Sequence, residues 1–464
     1  MNILKLLKNG EKTALIQGNK RVSYTELIEM GARFGGYLHS EGVRKGNIAL
    51  IFVPLSIELY KAMIGAWSIG AIPVFIDFSR GAKFVNSSIS RLKPDIIVCD
   101  SGTKFLRGAF SKMRKIKMAE AEKLGEFFEA AELEESYPAI YTFTSGTTGI
   151  PKIAVRTHGF LINQYNVLKR HMDFDENHID LGILPVFTLA NLASNMTTLL
   201  PERKLNPKKL ARQMIKEGVT RMICSPALAG NLLKHGGLRS IKKAYFGGGP
   251  VYPSLLYKIR NEADLYIVYG STEAEPISGI RWADISFIDR EKIADGAGLL
   301  VGNIAPEIEC KIGKNSEILV SGETVLKGYL NGIGDGENKI REGNKIWHRT
   351  GDAGYIDKSG RLWLLGRVSN AITDENGTLY PFCAECILDS RFGIRGAVLS
   401  LGGKRTAVIE KGAAQSDEIL EALKTQGVTE VLTVKKLPMD KRHGAKIEYG
   451  RLKRMLKTEK GDWN

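Results

Sequence analysis

The chain is poor in cysteine and histidine: five and seven in 464 residues. The cysteines stand apart at 99, 224, 310, 383 and 386. That excludes a disulfide framework and fits a reducing compartment, so a cytoplasmic protein is expected. Only Cys383-Ala-Glu-Cys386 has ligand-like spacing, and neither a second pair nor spaced histidines accompany it, so no zinc site is expected. The histidines suggest no catalytic triad. No apolar run reaches the ~20 residues of a spanning helix; the most apolar window, Ala62 to Ile76, is shorter. Met1-Asn-Ile-Leu-Lys5 lacks an apolar leader core and reads as the start of a mature protein. Internal repeats and low-complexity segments are missing. So is any long Lys/Arg run, although Lys+Arg outnumber Asp+Glu 66 to 51 and leave a net charge of +15. Such a balance is compatible with small anionic ligands or an anionic membrane surface, but a solvated basic surface is the preferred reading, and no nucleic acid partner is expected.

What is present is a chain long enough for two or more domains. Short apolar strands alternate with amphipathic stretches. Ser23, followed three residues later by Glu26, predicts a capped helix to about His39. Strands are expected at Ile48–Val53, Ile72–Ile76 and Pro94–Cys99, with a helix at Glu58–Ile69 between the first two. Lys112–Glu135 reads as helix and surface connection, His158–His171 as helix, and Gly182 to Thr188 as strand then turn. Pro207–Glu217 reads as a helix; Val219–Cys224, Lys243–Phe246 and Asp264–Val268 read as strands. The alternation predicts α/β architecture with largely parallel sheets. From Val301 short strands with Gly and Asn turns take over, and the last ~95 residues read as a compact α+β unit.

Four stretches carry chemistry. In Tyr141-Thr-Phe-Thr-Ser-Gly-Thr-Thr-Gly-Ile-Pro-Lys152, three hydroxyls, two glycines and a lysine fall within the eight residues from Ser145. Glycine lets backbone N–H groups turn onto a phosphate, the hydroxyls add donors, and Lys152 adds a movable positive charge. A Walker A loop is excluded: five on from Gly146 stands Pro151, and Ile153 follows Lys152. Gly247-Gly-Gly-Pro250 follows a strand and would let a flat ring lie on the backbone; taken alone, the motif is better explained as a tight strand–helix turn. Tyr269-Gly-Ser-Thr-Glu273 sets an aromatic, hydroxyls and a carboxylate at a strand end, where open α/β sheets bind ligands. Trp347-His-Arg-Thr-Gly-Asp352, with Gly366-Arg367 beyond it, offers a carboxylate able to accept two hydroxyls.

In order and spacing these stretches resemble the adenylate-forming superfamily of acyl-CoA synthetases, peptide-synthetase adenylation domains and luciferases. The resemblance covers essentially the whole chain. It implies a large N-terminal AMP-binding domain, 1–367, of stacked α/β subdomains with a β-rich subdomain. A small mobile α+β lid domain, 368–464, follows, with the hinge at Arg367-Val-Ser369. It implies ATP and Mg²⁺, with the phosphates held by Thr144, Ser145, Gly146, Thr147, Thr148, Gly149 and Lys152. It places Gly248, Gly249, Tyr269, Gly270 and Ser271 around the adenine and α-phosphate, Thr272 on the α-phosphate, Glu273 on Mg²⁺, and Asp352 with Arg367 at the ribose. Lys446, in Pro438-Met-Asp-Lys-Arg-His-Gly-Ala-Lys446, matches the lysine that swings into the active site from the lid. Ser369 departs from the Asp or Lys usual at the hinge.

Amino-acid-activating relatives carry an Asp after the signature loop. Leu184 to Leu192 here contains no acid, so an apolar acyl chain or fatty acid is expected, with Phe187, Leu189 and Ala190 as pocket candidates or, equally, core packing. The acceptor is open. Pro381 stands fourteen positions after Arg367, as in CoA ligases, yet Thr373, Asn376 and Thr378 replace the usual Lys, Gly and Arg. Thr272-Glu-Ala-Glu-Pro-Ile-Ser278, Gly377-Thr-Leu-Tyr380 and Arg442-His-Gly-Ala-Lys-Ile447 instead resemble β-lactone synthetases of olefin biosynthesis. Ligation to a thiol, CoA or an acyl carrier protein, and closure by the substrate's own β-hydroxyl both stand as readings. A non-catalytic nucleotide- or acyl-binding homologue is the alternative of another class.

Overall fold

Helix Tyr24–Ser40 begins where the sequence predicts it, with the Ser23 side chain accepting the Glu26 N–H and the Glu26 carboxylate accepting the Ser23 N–H. It packs on helix Ile57–Ser68 through glycines. A Cβ on Gly65 would lie 2.9 Å from both Gly31 O and Gly35 N, so only glycine permits this approach. The computed structural model describes residues 2–76, 81–99, 114–118, 131–145, 151–203, 205–412, 416–439 and 446–459. They form a mixed α/β protein whose Cα packing falls into two bodies. One comprises Met1–Ile223, Lys234–Ile241 and Glu323–Lys339. The other comprises Cys224–Leu233, Lys242–Gly322 and Ile340–Asn464.

The first body holds a sheet of six strands in the order 114–117, 96–99, 48–52, 72–75, 138–145, 151–157. All neighbours are parallel except the last pair, a hairpin that pairs Thr144 with Lys152 and Ser145 with Pro151. Two expectations change here. Arg114–Lys117 is a strand within the stretch read as helix and connection, the rest of which lies largely outside the described residues. The strand before Gly182 ends at Leu181, and Pro185 opens helix Pro185–Ala193 where a turn is expected. Proline at the first helical position has a preset φ and no N–H to leave unpaired.

His158 is wholly buried at the start of helix His158–His171. Its Nδ1 accepts the Ile3 N–H at 3.2 Å, and its ring stacks on Tyr137. Burial holds its pKa down at about 4, against an ordinary 6.5. The folded state therefore resists a proton that the unfolded chain accepts. Stability from this residue is complete above pH ~6.5 and is lost as pH falls toward 4, by up to about 3 kcal/mol. Urea midpoints measured from pH 7 to 4.5 should fall less steeply in His158→Phe than in wild type; equal slopes would refute this role.

The second body carries an eight-strand run in the order 308–312, 317–322, 345–356, 361–367, 299–304, 274–281, 264–271, 243–246. Its carboxy-terminal part is the expected α+β unit. The hairpin Ile372–Asp374/Gly377–Leu379 and the three-strand sheet 396–401, 404–410, 428–434 surround helices Pro381–Phe392 and Ser416–Leu423 on a core including Ile387, Leu388, Val398, Ile409 and Ile419. Among the described residues no helix is long and apolar enough to cross a membrane.

Candidate active site

In the second body, strand Asp264–Ser271 runs without interruption through Tyr269, Gly270 and Ser271, and turns back into strand Ala274–Arg281. Ser271 pairs with Ala274, so Thr272 and Glu273 are the two residues of a tight hairpin turn, both half-buried. The Ser271 hydroxyl accepts the Glu273 N–H at 3.2 Å and pins the turn. Gly270 has no room for a side chain, since a Cβ would lie 2.9 Å from Ala274 O. An acid and a hydroxyl at a hairpin tip are thus held by backbone geometry at the end of a stiff strand.

The Tyr269 hydroxyl donates to Asp352 Oδ2 at 2.9 Å, and Arg367 Nε lies 3.1 Å from Oδ1. Asp352 and Arg367 are cross-strand partners of 345–356 and 361–367. Arg367 also donates to Thr350 O at 3.1 Å, and the Thr350 hydroxyl accepts the Asp352 N–H at 3.1 Å. Gly351, at φ +70, makes the bend between them, and its N–H donates to Glu317 at 3.2 Å. Burial first, and then the neighbouring Asp352, push the Tyr269 phenol well above its usual range; Asp352 raises Arg367 further. Tyr269 and Arg367 therefore stay protonated donors, each holding one oxygen of the carboxylate.

The glycine turn lies at the end of strand Lys243–Phe246. A Cβ on Gly247 would sit 2.9 Å from Val268 O; Gly248 is exposed at φ +72, and Gly249 is half-buried. Lys446 is exposed just ahead of helix Tyr449–Glu459, anchored by the bridge of Ile447 to Met439 and by the Glu448 N–H on Pro438 O.

In the first body Thr144 and Ser145 end a strand, while Gly146, Thr147, Thr148 and Gly149 lie outside the described residues. Lys152, expected as a movable charge, is buried at 4% exposure in the return strand. Its ammonium lies 4.0 Å from the Glu337 carboxylate and 5.4 Å from the centre of the Tyr329 ring. Reaching a ligand would mean giving up that pairing. Of the pocket candidates, Leu189 and Ala190 line a small apolar cleft with Tyr60, Ile64, Trp67 and Leu161; Phe187 is buried and is not part of its lining. The CxxC pair is buried on helix Pro381–Phe392, where burial pushes Cys383 up to about 12 and raises Cys386 well above the usual thiol range; neither is a thiolate at neutral pH. Sequence reading overlooked Thr350 and Glu317, which shape the Asp352 bend. Thr350 stands inside the quoted motif; Glu317, far from it in sequence, carried no signal.

The AMP-binding enzyme family model matches residues 5–330. The chain is a member of the AMP-binding enzyme family. Among curated relatives, it is 27% identical to an olefin beta-lactone synthetase of Xanthomonas campestris pv. campestris, over 92% of this chain and 89% of that one. It is also 27% identical to the 2-succinylbenzoate–CoA ligase of Bacillus subtilis, over 84% of this chain and 82% of that one. The fold matches ATP-bound MatB from Rhodopseudomonas palustris with a TM-score of 0.85, at 20% identity over 98% of this chain and 99% of that one. It matches the O-succinylbenzoate coenzyme A synthetase of Bacillus subtilis, solved with ATP and magnesium ion, with a TM-score of 0.80, at 23% identity over 96% and 97%. The expected architecture, a large amino-terminal region with a small carboxy-terminal one, is that of these adenylate-forming enzymes.

Proposed function

We propose that this family member activates a carboxylic acid with ATP, forming an acyl-adenylate and releasing pyrophosphate. The observation that carries the reading is the Tyr269–Asp352–Arg367 cluster beside the Thr272–Glu273 turn. A carboxylate has about four acceptor sites. Tyr269 and Arg367 occupy one on each Asp352 oxygen, which leaves one on each for the two hydroxyls of a ribose.

In this reading a carboxylate oxygen of the substrate attacks the α-phosphorus. The bond from that phosphorus to the bridging oxygen breaks, and pyrophosphate leaves with the electron pair. The barrier is negative charge gathering on the α-phosphate. Thr272 donates a hydrogen bond there, and Lys446 supplies a cation. Glu273 is a hard oxygen donor on a half-buried hairpin turn, which suits Mg²⁺; that ion takes one or two carboxylates and completes its shell with phosphate and water. Bound there, Mg²⁺ would offset phosphate charge. Ser145 to Gly149 would hold the departing phosphates, and Lys152 would join them only on leaving its place beside Glu337 and Tyr329. Residues 368–464 serve as the mobile lid, turning at Arg367-Val-Ser369, where a short 3₁₀ turn, Val368–Asn370, follows the strand.

The acid is proposed to be an apolar acyl or fatty acid, since helix Pro185–Ala193 offers no carboxylate to an ammonium and lines an apolar cleft. The deprotonated thiol of CoA or of a carrier protein then attacks the acyl carbon, the bond to the phosphate oxygen breaks, and AMP leaves with the electron pair. A second reading, closure by a β-hydroxyl of the substrate itself, is favoured by the hairpin 372–379. Thr373 and Thr378 pair across it, their hydroxyls 3.1 Å apart, and Arg405 holds Asp374 at its end. Positions 373 and 378 thus present no cation to the phosphates of CoA.

A panel of carboxylic acids scored for pyrophosphate release, with and without CoA, tests both readings. A lactone from a long-chain β-hydroxy acid without CoA favours the second; a thioester formed only with CoA favours the first. No turnover and no ATP–pyrophosphate exchange with any acid would leave a non-catalytic binding protein. Asp352→Ala should weaken ATP binding by about 1–3 kcal/mol, the range for losing hydrogen bonds to a charged group. Calorimetric titration checks this, and unchanged affinity would remove Asp352 from the ribose.

A further inference from the structure

Helix Pro381–Phe392 is buried along its first nine residues, and one of them is an acid with no part in the proposed chemistry. Glu385 is 9% exposed among Cys383, Ala384, Cys386 and Ile387. One carboxylate oxygen accepts the Tyr252 hydroxyl at 2.7 Å; the other accepts the Tyr449 hydroxyl. One turn further on, Asp389 accepts both the N–H and the hydroxyl of Ser254. Burial raises the Glu385 carboxyl above its usual range, and the two phenols work against that rise. An apolar residue of similar size would fill this site without the cost of a desolvated acid. Stability alone therefore gives no reason for a carboxylate here, whereas its two bonds link two segments of the candidate site.

Tyr252 caps helix Pro253–Ile259 and lies two residues beyond the glycine turn Gly247–Pro250. Tyr449 opens helix Tyr449–Glu459, three residues after Lys446. The residues between are tied down as well, Ile447 to Met439 and Glu448 to Pro438. The phenol of Tyr449 is thus the fixed end of a short, braced connection whose other end is Lys446.

We propose that Glu385 is a positioning residue: by clamping Tyr449 against Tyr252 it holds the segment that carries Lys446 in register with the glycine turn. It does not touch the reacting atoms. The proposal rests on the role given to Lys446 in carboxylate activation. Misplacing a charged group by about 1 Å can lower a rate about a hundredfold, so a loosened clamp has a measurable effect.

The variants are Tyr449→Phe, which removes one hydroxyl, Glu385→Leu, which removes the clamp, and Glu385→Gln, which keeps an amide oxygen for one phenol. ATP–pyrophosphate exchange with a turned-over acid should show kcat lower by about ten- to a hundredfold in Tyr449→Phe and Glu385→Leu. KM for ATP should stay within about twofold, and Glu385→Gln should recover part of the loss. On a Lys446→Ala background, Tyr449→Phe should bring no further loss, because the lysine it places is gone. Unchanged kcat in Tyr449→Phe, or a full additional loss on that background, would overturn the proposal. Hydrogen–deuterium exchange of the wild-type and variant chains over 446–459 is read in parallel and needs no substrate. Faster exchange in Tyr449→Phe and Glu385→Leu, with less change in Glu385→Gln, shows the clamp even if no acid is turned over and the activity reading fails. Equal exchange in all four chains overturns the clamp itself.

Discussion

Lys446→Ala should lower acyl-adenylate formation by about a hundred- to a thousandfold, the usual result of removing a preorganised group that meets charge in the transition state. Lys446 is exposed and stands outside the apolar cores, so melting temperature should hold. ATP affinity should hold as well, because Asp352, Tyr269 and Arg367 meet the nucleotide elsewhere. A loss confined to kcat is the signature of an interaction made in the transition state only. Single-turnover formation of labelled acyl-AMP measures the step directly. Wild-type rates in this variant would end the assignment, while an equal loss of ATP binding would make Lys446 a binding residue.

The second large effect is on stability. Asp180 and Arg221 face each other on neighbouring parallel strands, with exposures of 1% and 0%. The guanidinium lies 2.8 Å from Asp180 Oδ1 and 4.4 Å from the centre of the Phe174 ring, and the Asn191 amide donates to Asp180 Oδ2 at 2.7 Å. Burial pushes the Asp180 carboxyl up while Arg221 draws it down. Arg221→Met keeps the bulk and strands the acid in the core, which should destabilise by about 3–5 kcal/mol. Asp180→Leu combined with Arg221→Met should recover most of that loss, since neither charge is then left without its partner. Urea unfolding of the three chains provides the measurement. Independent, additive losses would show that the two residues do not act as a pair.

Short-range physics makes much of this protein legible in its sequence. The capping box at Ser23 and Glu26, the proline opening helix Pro207–Lys216, and apolar runs such as Ile48–Phe52 depend on neighbours a few residues away, and each appears where expected. The motifs are legible for the same reason: Tyr269 to Glu273 and Thr350 to Asp352 are each carried by one strand or its turn. The helix at Pro185 escapes a local reading because proline serves equally as a turn former and as a first helical residue. Packing of Phe187, Ala190 and Leu192 into the interior settles which.

The sequence by itself determined the α/β succession, the set of candidate residues and the family they resemble. Only the tertiary structure decided which residues share a bond. Tyr269 meets Asp352 across 83 positions of chain, and Glu385 meets Tyr252 and Tyr449 across 133 and 64. It turned Lys152 from an expected mobile cation into a buried one beside Glu337 and Tyr329, and it brought Asp180 and Arg221 together as a buried core pair. Periodicity and capping are read along the chain. The partner of a buried charge depends on which strands become neighbours and in what register, and that is fixed by the packing of the whole body.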